Sequence, residues 1–152
     1  MTRLHEEIEV ARPIEKAFDY VADFATCAEW DPGIAEGRRV GEGPIGVGSR
    51  FEVVADFNGR RMPLTYEITE FERPRRVVLA GEGSTFRGLD EIGFAAAPSG
   101  GTRITYAADI RLKGLLAIAE PFMKGRFAEM GRKAVAGLKA RLDGEAPPAG
   151  ER

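Results

Sequence analysis

The run from Leu115 to Leu142 constrains the fold more than any other stretch of the chain. Leu116, Ala119, Met123, Phe127, Met130, Ala134 and Leu138 recur every three or four residues, so at about 100° per residue they fall on one stripe of a helix. Lys124, Arg132 and Lys139 point elsewhere. Ala119, Ala134 and Gly137 are small and Met123 and Met130 are flexible, which lets the face border a cavity as readily as it fills a core. Pro121 removes a helix hydrogen bond, and so should bend the helix or mark its start. A stripe this long has to be covered, and the preceding residues must supply the surface.

They do so as strands. Leu4, Ile8 and Val10 alternate with His5, Glu7 and Glu9, the pattern of a half-buried first strand. Pro13 suits a helix start, and Ile14, Ala17, Phe18 and Val21 give that helix an apolar face until about Asp23. Thr26 followed by Glu29 matches a capping box for a second short helix, stopped by Trp30-Asp31-Pro32. Glycines from Gly33 to Gly48 leave room for a short strand near 35–40 and a flexible loop. Phe51, Val53, Ala55 and Phe57 then alternate up to Asn58-Gly59, a strong two-residue hairpin signal. Leu64, Tyr66 and Ile68 continue beyond the turn, Arg73-Pro74 turns the chain again, and 77–80 returns. Phe86, Asp90, Ile92 and Phe94 share one face, as do Ile104, Tyr106, Ala108 and Ile110 after the Ser99-Gly100-Gly101 turn. The expectation is an α+β domain: a curved antiparallel sheet of six to seven strands around a long C-terminal helix, with two short helices after strand one.

At 152 residues, 43% hydrophobic and 30% charged, one domain spanning 1–143 accounts for the chain, with a disordered Pro/Gly-rich tail at 144–152. Scattered basic residues and a net charge of −2 exclude the concentrated positive field that nucleic acid requires. One cysteine, Cys27, excludes an internal disulfide, and the absence of an apolar leader at Met1 points to the cytoplasm. No apolar run reaches the roughly 20 residues needed to span a bilayer.

Several motifs resemble the START-like, helix-grip (SRPBCC) superfamily and, within it, the polyketide cyclase/dehydrase and lipid-transport group. They are the Ala11-to-Asp23 stretch beginning Ala11-Arg12-Pro13, Glu29-Trp30-Asp31-Pro32, the run from Tyr66 to Arg76, Gly100-Gly101-Thr102, and the Lys113-Gly114-Leu115-Leu116 entry to the last helix. The resemblance implies a deep apolar cavity between sheet and helix, gated near the first helices and the Gly33–Gly48 segment. It also implies ligands of lipid, sterol, quinone or polyketide type, cyclisation or dehydration in some members, and membrane contact in others.

Chemistry is sparse. His5, the only histidine, falls on the solvent parity, so a histidine relay lacks its base. Cys27 has no imidazole nearby in sequence, and no residue spacing suits a metal; no cofactor is called for. The inward parity instead collects Glu6, Tyr66, Asp90 and Tyr106, with Glu120 and Arg126 beside the helical stripe. Asp90, Glu6 and Tyr106 are the candidate proton-handling groups. Trp30, Phe51, Val53, Tyr66, Ile68, Asp90, Ile92 and Tyr106 are the candidate ligand contacts from the body of the chain. Ala119, Met123, Phe127 and Met130 are those from the helix. The first functional reading is binding or carriage of a small hydrophobic or aromatic ligand by a monomer or homodimer, with transient membrane contact allowed. The second is a polyketide cyclase or dehydratase working mainly by proximity. The third is an interaction module whose pocket is filled by its own side chains.

Overall fold

The computed structural model describes residues 1–57 and 59–144; the expected tail lies outside them apart from Gly144. The chain runs β1 (Thr2–Val10), α1 (Ile14–Ala22), a 3-10 turn (Phe24–Thr26), α2 (Cys27–Trp30) and then six strands. These are β2 (Ile34–Val40), β3 (Arg50–Phe57), β4 (Arg60–Glu72), β5 (Arg76–Glu82), β6 (Phe86–Ala96) and β7 (Thr102–Leu112). Short α3 (Leu116–Ala119), a second 3-10 turn (Glu120–Met123) and α4 (Lys124–Asp143) complete it. Seven strands form one antiparallel sheet in the order β1-β7-β6-β5-β4-β3-β2. Successive hairpins from β2 to β7 build the meander, and β1 closes onto β7.

Alternation decides which side of each strand is covered. In β1, Arg3, His5, Glu7 and Glu9 are exposed while Thr2 and Val10 are buried, and in β6, Gly88, Asp90, Ile92 and Phe94 face inward. Two register shifts interrupt the period, between Ile34 and Glu36 and between Ile68 and Glu70. The second brings Phe71 onto the inner face, where it meets Phe18 edge-on with ring centroids 5.3 Å apart.

One expectation changes at the helices, and one alternative is decided. Thr26 precedes α2 without capping it: its hydroxyl donates to the Tyr20 carbonyl at 3.0 Å, and Glu29 accepts from the Tyr20 hydroxyl at 2.7 Å. The pair ties α2 to α1 and leaves no capping box. The C-terminal stripe is not one helix, because Pro121 lies in a 3-10 turn that separates α3 from α4. The 100° period is lost there, so Leu116 is 44% exposed while Phe127, Val135, Leu138 and Leu142 form the buried row of α4.

The core occupies one end of the concave face. Phe18, Val21, Phe24 and Trp30 from the helical corner pack with Phe51, Ile68, Leu79, Ile92 and Ile104 of the sheet and with Leu138 and Leu142. The crossing of α2 with α4 requires Gly137, where a Cβ would lie 1.9 Å from the Trp30 carbonyl oxygen. Among the described residues no helix is long and apolar enough to cross a membrane.

Candidate functional site

The other end of the concave face is not filled. A cavity of about 180 Å³ lies there between the sheet and the first half of α4. Ala55, Leu64, Ala108 and Ile110 contribute the sheet side, Met123, Phe127, Met130 and Ala134 the helix side, and Asp31 and Gly33 the loop after α2. Phe57 stacks against Phe127 at 6.1 Å, and the Arg126 guanidinium lies 5.5 Å from the Phe57 ring centroid. Arg126 therefore sits on an aromatic ring and does not line the cavity.

Five polar side chains, Asp31, Tyr66, Thr85, Asp90 and Tyr106, stand among these apolar ones. Tyr106 and Asp90 occupy diagonal positions on β7 and β6, and the Tyr106 hydroxyl donates to Asp90 Oδ2 at 2.5 Å. Burial, assisted by the charges of Asp31 and Asp109, raises the Asp90 carboxyl to about 6 against the lowering effect of the Tyr106 hydrogen bond. Asp31 behaves alike: burial lifts it to about 6, although its Oδ1 accepts the Gly33 amide at 2.8 Å. Tyr66 is 7% exposed, its ring lies where a Cβ on Gly81 would come within 2.6 Å, and its hydroxyl has no hydrogen-bond partner among the described residues. Burial and then the Asp90 charge push this phenol well above its ordinary range. Among the described residues no Lys, Arg or His lines the cavity. Among them, too, no cluster of three or more His, Cys, Asp or Glu groups has metal-binding geometry.

Of the residues expected at the ligand, the cavity brings together Tyr66, Asp90, Tyr106, Met123, Phe127 and Met130. Phe51, Val53, Ile68 and Ile92 lie on the expected face but in the solid core, because the α1–α2 corner plugs their end of the sheet. Trp30 is also core, edge-on to Phe24 at 6.5 Å and to Tyr106 at 6.3 Å, and stands at no mouth. Ala119 falls on α3, turned out of line by the Pro121 break, and does not line the cavity. Glu6 is half-buried on the inner face of β1 but outside the lining. Glu120 is buried among polar partners instead of reaching the cavity: it accepts the Leu112 amide at 3.0 Å and the Thr2 hydroxyl at 3.3 Å, and pairs with the Met1 amine. The glycine segment expected as the gate contributes only Gly33 and, from β2, Ile34; residues 41–49 line nothing. Asp31 was legible only as the residue that stops α2, and no spacing signal marks it as a site group.

The sequence matches the family model described as polyketide cyclase / dehydrase and lipid transport over residues 1–143. A START superfamily protein of Mycobacterium smegmatis superposes with a TM-score of 0.78 at 14% identity, covering 93% of this chain and 97% of its own. A protein of Thermus thermophilus gives 0.77 at 17% identity, with 92% and 96% covered. At such identities the likeness establishes the helix-grip fold. No curated protein sequence matches.

Proposed function

The chain belongs to the polyketide cyclase/dehydrase and lipid transport family, and from that premise we propose that it binds and carries a small hydrophobic or aromatic ligand, of lipid, polyketide or quinone-like character, between the sheet and α4. The observation that carries this reading is the unfilled apolar cavity itself. Its lining of Leu64, Ala108, Phe127 and Met130 presents concave apolar surface that a ligand of the same character would remove from water. Apolar burial would supply most of the affinity, and Tyr66, Asp90 and Tyr106 would orient the ligand's polar atoms. A pocket filled by its own side chains, as in an interaction module, does not agree with that void.

The test combines retention of the neutral dye N-phenyl-1-naphthylamine with Ala134→Phe. Ala134 faces the cavity from α4, so a ring there should occupy the space, abolish dye fluorescence and leave the denaturant midpoint nearly unchanged. If that site were solid core instead, overpacking would cost about 1 to 3 kcal/mol. A destabilised variant that still retains dye like the parent overturns the proposal.

One observation favours a second reading. A carboxyl raised to about 6 and bonded to a phenol in an apolar cavity is poised to exchange a proton near neutrality, as a cyclase or dehydratase requires. Turnover of a poly-β-ketone thioester that disappears in Asp90→Asn distinguishes this enzyme from a carrier.

A further inference from the structure

The polar end of the cavity is unbalanced. Asp90 Oδ2 is used by Tyr106 and Asp31 Oδ1 by the Gly33 amide, while Asp90 Oδ1, Asp31 Oδ2 and the Tyr66 hydroxyl have no partner among the described residues. Asp90 and Tyr66 are 8% and 7% exposed. These oxygens belong to the cavity lining, two of them on buried residues and one on the half-buried Asp31, and a ligand that covers them without donating leaves them unsatisfied. Among the described residues no cation lines the cavity to neutralise either carboxyl. Asp31 and Asp90 both line this one cavity. A ligand ending in a carboxylate would add a third negative group to this end, whereas a neutral ligand would leave both carboxyls uncompensated.

We infer that the preferred ligand is an apolar molecule ending in a protonated amine, with the ammonium donating to Asp90 Oδ1 and Asp31 Oδ2 and the Tyr66 hydroxyl completing its shell. An ammonium offers three donors and no acceptor, which matches this set, and it supplies the missing charge. The rest of the ligand lies along Phe127, Met123 and Met130. The inference rests on the cavity being a ligand site, as proposed above, and it narrows the class to amine-bearing apolar molecules, setting aside fatty-acid-like anions and neutral quinone-like or polyketide-like ligands.

Competition against bound N-phenyl-1-naphthylamine tests it, using decylamine, decanol and decanoate below micellar concentrations at about pH 8, where both carboxyls are ionised. Decylamine should displace the dye at concentrations about tenfold lower than either competitor, the scale of one charge-assisted hydrogen bond. In Asp90→Asn and, separately, Asp31→Asn, the ratio of amine to alcohol potency should fall toward unity, whatever happens to dye affinity itself. The second variant preserves the test if the first does not fold. Decanol or decanoate competing as well as the amine, or an amine preference unchanged in both variants, overturns the inference while leaving the cavity as a ligand site. If the parent protein takes up neither dye nor any competitor, the carrier reading falls and the inference with it.

Discussion

The Tyr106 hydroxyl holds Asp90 Oδ2 at 2.5 Å across the β6–β7 pair, and this bond opposes the burial that raises the carboxyl. The net result is an acid at about 6 instead of its ordinary 3.8. An acid whose folded value is raised binds its proton more tightly folded than unfolded, so its penalty is absent below the unfolded value and grows as pH rises toward the folded one. Tyr106, Asp31 and Asp109 are the charged or titratable groups acting on it, and none is cationic. Asp90→Asn should therefore stabilise the protein above about pH 6, by an amount up to about 3 kcal/mol, and lose that advantage below about pH 4. Urea midpoints of parent and variant at both ends of this window check it; an equal difference at both would remove Asp90 as the source.

The approach of α4 to α2 makes Gly137 and Gly125 opposite cases. Gly137→Ala puts a Cβ 1.9 Å from the Trp30 carbonyl oxygen, whereas a Cβ at Gly125 meets nothing within 4 Å. The first change should destabilise by about 1 to 3 kcal/mol or more. The second should stabilise by about 0.5 kcal/mol through helix propensity. Denaturant midpoints compare them, and similar effects from both would contradict this crossing.

Ligand-dependent protection should centre on residues 116–123. α3 buries no residue and the segment is held chiefly through Glu120, yet Leu116 and Met123 line the cavity, so a ligand would add order there. The 41–49 loop is tied down elsewhere. Gly48 donates to the Ile68 carbonyl at 2.8 Å, Ile68 donates to the Ser49 carbonyl at 2.9 Å, and Arg39 Nη1 donates to the Gly43 carbonyl at 2.6 Å. Amide exchange with and without dye should slow in the first segment and stay constant in the second; the reverse would place the gate at the glycines.

His5 is exposed on the outer face of β1, opposite Ala107. His5→Ala should leave dye binding, and any turnover, within about threefold of the parent, or about 0.7 kcal/mol. Titration of dye against both proteins decides it, and a hundredfold loss in a folded variant would mean the strand faces are misassigned.

Asp90, Tyr106 and Tyr66 were legible as inward groups because strand geometry is local: side chains alternate with a period of two whatever the rest of the molecule does. The same rule placed His5 outside, the turn residues marked the hairpins, and the helical period identified Phe127 and Leu138 as facing the sheet. It could not tell Tyr66 from Ile68, two residues along the same face of the same strand. One borders a cavity and the other is sealed in core, and the difference is made by Phe18, Phe24 and Trp30, which arrive from the α1–α2 corner. Asp31 joined the site only because α2 ends against the opening, with its carboxylate held by the Gly33 amide. Pro121 announced a break, and the structure makes it a 3-10 turn between two helices. Face is a property of neighbouring residues along the chain. Depth along that face follows from how segments far apart in the chain divide one concave surface, and only packing decides that.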